Sequence, residues 1–174
     1  MVVICGKLCY FVVIIEISNH MAVFIGEYEV AMDSKGRFMM PSGFRKQLPE
    51  NAELKFVLNR GLEKCVTLYI MDDWNVISGK LMKLNDFNVK VQKVKRLLLN
   101  GANIVELDNA GRVLIPKSLQ EFAGLKKELV FSAQGNKVEI WDKETYYNYI
   151  NENSADLGSL MDEVFGGDFI DPFQ

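Results

Sequence analysis

The chain is poor in the residues on which many enzyme sites and disulfide scaffolds depend. Its 174 residues include one histidine, His20, and three cysteines, Cys5, Cys9 and Cys65. An odd number of cysteines cannot be fully paired, and this favours a reducing compartment. A Ser-His-Asp triad, a Cys-His pair or a histidine zinc site would each need His20, which lies outside every motif described below. The composition therefore predicts no catalytic nucleophile, no metal site and no cofactor.

Long apolar runs are also scarce near the start of the chain. In the first 20 residues the longest uncharged run, Leu8–Ile15, has eight residues and lies between Lys7 and Glu16. A membrane-spanning helix needs about 20 apolar residues, and no small-residue cleavage site of a signal peptide follows the run. Because regular patterning starts near Met21, residues 1–22 are predicted to be an N-terminal extension, and no membrane association is expected.

Basic residues are slightly outnumbered, but the excess of acid is confined to one end. The chain has 20 Lys and Arg against 23 Asp and Glu, a net charge of −3. Residues 151–174 hold six of the acids and no base. The other 17 acids and all 20 bases leave residues 1–150 at +3. A mildly basic body with an acidic tail is compatible with nucleic-acid binding, which the total charge alone would argue against.

An internal repeat is the most informative feature that is present. DSKGRFMMP at residues 33–41 recurs as DNAGRVLIP at residues 108–116, an offset of 75 residues. In each copy the aspartate can accept backbone hydrogen bonds that start a turn, and the glycine can adopt the positive φ of a tight reversal. The apolar triplet predicts a short, largely buried strand, and the proline fits the first turn of a helix. The turn-forming residues are Asp33, Gly36, Asp108 and Gly111.

Each copy of the repeat lies in one unit with the order strand, turn, strand, short helix, strand, strand. A unit of about 45 residues is too small to bury a core of its own, so the two units are predicted to pack as a pseudo-dimer. Two apolar stripes predict a helical linker, and a last helix is predicted to start near Lys143, with order fading after it. The predicted fold class is α+β. Its segments are an extension (1–22), a first unit (23–72), a helical linker (73–100), a second unit (101–146), and a helix end with an acidic tail (147–174).

The arginine after each glycine is the best candidate for a functional residue, because turn geometry does not require it. Two interpretations stay open for Arg37 and Arg112. Each guanidinium pairs with the aspartate of its own turn, or both contact DNA phosphates or guanine edges on one surface. Neighbouring cations favour the DNA contact and predict the larger role for Arg37. They are Lys35, Arg45 and Lys46 near the first turn and Lys117 near the second.

A catalytic pair formed by Asp33 and Asp108 is the main enzymatic alternative. Pseudo-symmetry would bring the two aspartates together, as in aspartic proteases. The Asp-Thr-Gly or Asp-Ser-Gly triplet of those enzymes is absent, and Gly36 and Gly111 complete turns instead. The isolated glycines also form no phosphate-binding loop. We therefore expect no enzymatic activity and no small-molecule substrate.

From about residue 23 to residue 149 the chain resembles the MraZ family of bacterial transcriptional regulators. The resemblance rests on Phe24-x-Gly26, the two D-x-x-G-R turns, the segment VKRLLL at residues 94–99 and the segment VEIWD at residues 138–142. It implies two tandem SpoVT-AbrB (swapped-hairpin) domains. It also implies ring-shaped homo-oligomers that bind double-stranded promoter repeats at the nucleoid, in the cytoplasm, and it implies that Arg37 and Arg112 contact DNA. Residues 1–20 have no counterpart in the family.

The predicted function is thus a sequence-specific DNA-binding transcriptional regulator of the division and cell-wall gene cluster, its own gene included. It would act without catalysis or cofactor. The rival prediction is an antitoxin-like interaction module that wraps a basic protein partner with its acidic tail. The tandem repeat argues against this rival, because antitoxins of this type usually carry one copy. Salt-sensitive retention on DNA would distinguish the two functions.

Overall fold

The computed structural model describes residues 23–49 and 54–165, so the predicted N-terminal extension and the last part of the acidic tail lie outside the described residues. Within this part the chain forms eight strands and six helices. The strands are β1 (Phe24–Ala31), β2 (Arg37–Met39), β3 (Lys55–Arg60), β4 (Val66–Ile70), β5 (Asn103–Glu106), β6 (Arg112–Leu114), β7 (Glu128–Gly135) and β8 (Lys137–Asp142). The helices are α1 (Ser42–Arg45), α2 (Met71–Met82), α3 (Val89–Leu99), α4 (Lys117–Ala123), α5 (Lys143–Ser154) and α6 (Leu157–Phe165).

The two units share one sheet instead of forming one each. The antiparallel six-stranded sheet has the order β1-β7-β8-β4-β3-β5. Strand β1 of the first unit pairs with β7 of the second along its whole length, from Phe24 opposite Gly135 to Ala31 opposite Glu128. Conversely, β5 of the second unit pairs with β3 of the first, and the two hairpins meet where β4 pairs with β8. This exchange agrees with the predicted pseudo-dimer, and the fold class is α+β as predicted.

A second, two-stranded sheet joins the two copies of the repeat. Strand β2 pairs antiparallel with β6, and Phe38 lies opposite Val113. These two side chains are fully buried, whereas Met39 and Leu114 are 52% and 51% exposed. The prediction of a largely buried triplet is therefore wrong for its middle residue, because successive side chains of a strand point to opposite faces.

The main hydrophobic core draws side chains from both units. Phe44 of α1 packs against Phe24 of β1 and against Phe131 of β7, with ring centroids 4.8 and 4.9 Å apart. Leu119 and Ala123 of α4 are buried in the same cluster. Burial of one large apolar side chain stabilises a fold by about 1.5–3 kcal/mol. Because the contacts cross between the units, neither unit keeps this contribution without the other.

Local sequence signals set the helix ends. Pro41 and Pro116 are the N-cap residues of α1 and α4, one position before the predicted first turn. Gly124 ends α4 with a left-handed φ of 60°. At the start of α3 the Asn88 side chain accepts a hydrogen bond from the Lys90 backbone N–H at 2.9 Å. A side-chain acceptor at this position satisfies a backbone donor that the helix itself cannot pair.

The predicted linker is a pair of helices, α2 and α3, attached to the β3–β4 hairpin. Trp74 of α2 packs on Tyr69 of β4, with ring centroids 5.5 Å apart. Near the end of α3 the Asn59 side chain donates a hydrogen bond from Nδ2 to the Leu98 carbonyl at 2.6 Å. The predicted second apolar stripe is covered only in part, since Leu98 is half-buried but Phe87 is 97% exposed.

Helix α5 is tied to the exchanged strand β1. The Tyr146 hydroxyl donates a hydrogen bond to Glu27 at 2.6 Å, and the Lys143 ammonium pairs with Glu29 at 2.8 Å. The prediction that order fades after this helix is wrong for residues 157–165, which form α6. Apolar residues there recur at the three- and four-residue spacing of a helix face; they include Leu157, Leu160, Met161 and Val164.

Candidate nucleic-acid interface

The two D-x-x-G-R turns have the same internal geometry. In the first, Asp33 Oδ1 accepts hydrogen bonds from the backbone N–H groups of Lys35 and Arg37, both at 2.9 Å. In the second, Asp108 Oδ1 accepts from the N–H groups at positions 110 and 112, also at 2.9 Å. Gly36 and Gly111 have φ of 81° and 78°. The aspartates and glycines therefore form the turns, as the sequence predicts.

Each arginine is paired with the aspartate of its own turn. Arg37 Nε and Nη2 lie 2.9 and 2.7 Å from Asp33 Oδ2, and both nitrogens of Arg112 lie 2.8 Å from Asp108 Oδ2. The side-chain and backbone hydrogen bonds from Arg37 lower the pKa of Asp33 to about 2. The pKa of Asp108 is also lowered, chiefly by the Arg112 backbone N–H. The first of the two interpretations of these arginines is thus present in the structure.

The same two arginines are half-buried and lie on one outward-facing surface. In β2, Arg37 and Met39 point away from the core, and in β6 Arg112 and Leu114 do the same. Arg37 is opposite Leu114 and Met39 is opposite Arg112. The arginines are therefore diagonal neighbours, with Cα atoms about 7–8 Å apart. These four residues are called the turn face below: two guanidinium groups flanking two half-exposed apolar side chains.

Residues of each unit reach the turn of the other unit. A Cβ built at Gly111 would lie 3.3 Å from Arg45 Nη1, so Arg45 of the first unit covers the second turn. Gln120 of the second unit covers Gly36 in the same way, and its Nε2 donates to the Ile115 carbonyl at 2.6 Å. Arg45 is close to Arg37 in sequence, and its guanidinium lies at the second turn. The exchange of strands brings the end of α1 to the opposite turn.

The other predicted contact residues lie at the surface. Lys35 is in the first turn, Lys46 follows α1, and all three of Lys35, Lys46 and Lys117 are exposed. Lys117 lies at the start of α4 with its ammonium 3.8 Å from Glu121, a pair too exposed to hold it firmly. The structure thus has three exposed lysines in or soon after the two repeat segments, whose arginines are each paired with an aspartate.

Sequence reasoning did not single out Gln120, Met39 or Leu114. The repeat offset of 75 residues maps Arg45 onto position 120 and Met39 onto position 114. Strand alternation applied to the apolar triplet would have identified the two exposed side chains. The repeat offset and the strand alternation could therefore have identified these residues. Which turn Arg45 or Gln120 covers depends on how the two units pair, and local sequence does not determine that.

Metal-binding clusters and membrane-spanning helices were also looked for in the part of the chain that the structure describes. Among the described residues, no group of histidine, cysteine, aspartate and glutamate side chains is arranged to hold a metal ion. Residues 23–49 and 54–165 also contain no helix that is long and apolar enough to cross a membrane.

Comparison with known proteins places the chain in a family. The model of the family described as "MraZ protein, putative antitoxin-like" matches residues 23–97 and again residues 98–164. Proteins named transcriptional regulator MraZ are similar along most of their length: one from Christiangramia forsetii is 43% identical, over 84% of this chain and 96% of that protein. Those from Flavobacterium psychrophilum and Clostridium acetobutylicum are 41% and 39% identical, over 84% and 82% of this chain and 94% and 96% of those proteins. A solution structure of PHS018 from Pyrococcus horikoshii is 14% identical over 70% of this chain and 88% of that chain, with a TM-score of 0.29, too low to indicate a shared fold.

The tandem fold with its shared turn face, taken with these relatives, defines a transcriptional regulator built from two fused units. The chain belongs to the MraZ family, whose model covers both units and whose curated members match it at 39–43% identity. The family model divides the chain between residues 97 and 98, inside the predicted linker. The boundaries of the five predicted segments stay a prediction.

Proposed function

We propose that the protein binds double-stranded DNA sequence-specifically through the turn face and regulates transcription from promoters that contain repeated sites. The observation that carries the proposal is the placement of Arg37 and Arg112 as half-buried diagonal neighbours on one outward-facing surface. Its targets would be the division and cell-wall gene cluster, including its own gene. Such a protein acts without catalysis or cofactor, in the cytoplasm and at the nucleoid.

The aspartate pairs support base reading over simple charge attraction. Each carboxylate holds Nε and Nη2 of its arginine, and Nη1 is not part of the pair. A guanidinium held in this way loses little side-chain entropy on binding, and its orientation is set before DNA arrives. Because the neighbouring carboxylate offsets much of the charge, the arginines would contribute more to sequence reading than to salt-dependent attraction. The exposed lysines Lys35, Lys46 and Lys117, together with Arg45, would contact phosphates.

A single chain presents few cations, so tight binding needs several chains. In an assembled homo-oligomer, with a ring as the arrangement we favour, neighbouring turn faces would engage successive repeats of one promoter. Once the first site is bound, the next binding event is intramolecular, and the affinity rises without new contacts. Occupation of several repeats would then block access of RNA polymerase to the promoter.

The second candidate function is an antitoxin-like interaction module that binds a basic protein. It is favoured by one structural observation: α6 is helical, acidic and exposed along most of its length. In that case a basic partner would stay bound in stoichiometric amount during purification. High salt would weaken this complex less than it weakens DNA binding if apolar contacts dominate it.

A gel shift on the DNA upstream of the gene, with unrelated DNA as competitor, tests the proposed function. We expect wild type to shift the upstream DNA selectively and the double variant Arg37→Ala/Arg112→Ala to lose this shift while circular dichroism shows it folded. The control is Lys80→Ala/Lys83→Ala, which also removes two positive charges, here from exposed residues outside the turn face. Full-strength selective binding by the folded arginine variant would show that the arginines only stabilise the turns.

A further inference from the structure

The turn face contains two apolar side chains that the fold does not bury. Met39 and Leu114 are 52% and 51% exposed, and they occupy equivalent positions in the two copies of the repeat. Phe38 and Val113, on the opposite face of the same strands, are fully buried. An antiparallel strand with one face on the core commonly carries polar side chains on its other face. Both short strands depart from this pattern at their third residue, so packing within the chain does not explain Met39 and Leu114.

Each apolar side chain lies beside an arginine of the other strand. Leu114 is directly opposite Arg37, and Met39 is directly opposite Arg112. The Cβ atoms of opposite residues in such a pair are about 4.5–5.5 Å apart. The arginine side chains are 27% and 34% exposed, whereas about half of the surface of each apolar residue is exposed. A partner that reaches both guanidinium groups therefore also covers Met39 and Leu114.

We propose that Met39 and Leu114 contact the C5 methyl groups of thymines in the DNA site, so that the turn face reads thymine as well as guanine. The major groove of DNA admits a two-stranded β-ribbon, and β2 and β6 form such a ribbon. Among the groups that base pairs present in this groove, the thymine methyl is the apolar one. Two apolar side chains beside two base-reading arginines thus match a site that contains both bases.

Other parts of the DNA offer these two side chains no comparable contact. Phosphate oxygens and hydrogen-bonding base edges would lose water against a methionine or leucine side chain without gaining a partner. The minor groove presents mainly acceptors and no methyl group. A surface that only followed the phosphate backbone would also gain from polar or basic side chains at positions 39 and 114. The apolar pair therefore favours direct contact with bases in the major groove.

The size of the effect follows from the area of one methyl group. Burial of a group of this size changes an equilibrium constant by about fourfold, and two such groups change it by about fifteenfold. The inference rests on the proposed DNA binding through the turn face. Its test therefore has to separate the preference for thymine from DNA binding itself.

Replacement of thymine by uracil tests the contact, because uracil pairs with adenine as thymine does and lacks only the methyl group. The DNA upstream of the gene is copied once with dTTP and once with dUTP, and the Kd of each duplex is measured. We expect wild type to bind the uracil duplex at least about fourfold more weakly than the thymine duplex. The folded variant Met39→Ala/Leu114→Ala should bind the two duplexes equally, and no more tightly than wild type binds the uracil duplex.

The matched control is Leu62→Ala/Met82→Ala, which removes one leucine and one methionine exposed elsewhere, Leu62 at 90% and Met82 at 65%. It should keep the full preference of wild type for thymine. Circular dichroism shows whether each variant is folded, and the comparison of the two duplexes with wild type needs no variant.

Equal binding of the two duplexes by wild type would overturn the inference and leave the proposed function in place. An undiminished preference for thymine in the folded variant Met39→Ala/Leu114→Ala would also overturn it, because the preference would then come from other residues or from the shape of the DNA. Absence of selective binding to the upstream DNA would overturn the proposed function, and this inference with it.

Discussion

Arg37 and Arg112 are fixed by their own turns, and this bears on how they would recognise a base. Two nitrogens of each guanidinium are held within 2.9 Å of one carboxylate oxygen. This arginine–aspartate pair would stabilise the turn, and it would also orient the guanidinium for a DNA contact. The pair is therefore compatible with both roles. DNA binding by arginine variants that stay folded distinguishes a role in DNA recognition from a role in turn stability alone.

We expect Arg112→Ala to weaken DNA binding at least as much as Arg37→Ala. Charge near the first turn in sequence suggests the opposite order, but the Arg45 side chain lies against Gly111 and so adds its cation to the second turn. Loss of a base contact typically costs about 1–3 kcal/mol, or roughly 5- to 150-fold in Kd. Fluorescence anisotropy on a single-site duplex measures both variants under the same salt conditions. A much larger loss for Arg37→Ala would show that Arg45 does not contribute at the second turn.

The pKa of Asp33, at about 2, predicts a pH-dependent contribution to stability. Because this value lies below that of an unfolded aspartate, about 3.9, the contribution is present above pH 4 and is lost as the pH falls from 4 towards 2. In Asp33→Asn the amide oxygen can still accept the backbone hydrogen bonds, but the charge pair is gone. We therefore expect its thermal midpoint to fall less than that of wild type over this range. Asp156→Asn, which removes an exposed acid of the C-terminal segment, is the control and should keep the wild-type profile.

The elements differ in how far local sequence determines them. Asp33, Gly36 and the proline at 41 act within a few residues, and the turn and helix start that they predict are present. The hairpins and the two linker helices also follow from local patterns. Which strand pairs with which does not, because an isolated unit and an exchanged pair satisfy the same patterns. For that reason the position of Arg45 could not be read from its neighbours in the chain, although the charged turns themselves could.

Two glycine-to-alanine variants should change stability in opposite directions. Gly36 has a φ of 81°, and an added Cβ would collide with the Gln120 side chain, so Gly36→Ala should lower the free energy of unfolding by more than about 1 kcal/mol. Gly79 is inside α2 with open space around it, so Gly79→Ala should raise the free energy of unfolding by about 1 kcal/mol. Urea denaturation measures both.

The double variant Gly36→Ala/Gln120→Ala separates the two causes of the first loss. It should recover the part due to the collision and keep the part due to the backbone conformation. Equal stability of Gly36→Ala and wild type would show that the first turn tolerates a side chain at this position, contrary to its positive φ and close packing.

At the scale of the whole molecule, the two units form a single cooperative body. Six strands from both units share one sheet, and Phe44 of the first unit packs on Phe131 of the second. The turn face exists only in this shared body, because each strand of the pair β2–β6 comes from a different unit. DNA recognition by one isolated unit is therefore not expected.

We expect the affinity for DNA to rise steeply with the number of promoter repeats. Wild type should bind a duplex with three repeats far more tightly than a duplex with one, because binding of neighbouring chains becomes intramolecular. Titration of one-, two- and three-repeat duplexes measures this gain. Equal affinity for the three duplexes would contradict the expected role of assembly in DNA binding.

The pairing of Arg45 with one turn and Gln120 with the other has a consequence for how such a protein evolves. In a symmetric dimer of identical subunits every substitution appears twice, so both halves of the contact surface change together. Fusion of the two units into one gene removes this coupling, and a single codon change alters one half alone. The residues at positions 45 and 120, which are equivalent in the repeat, differ in this way. One half of the molecule is thereby free to acquire a new preference while the other retains an old one.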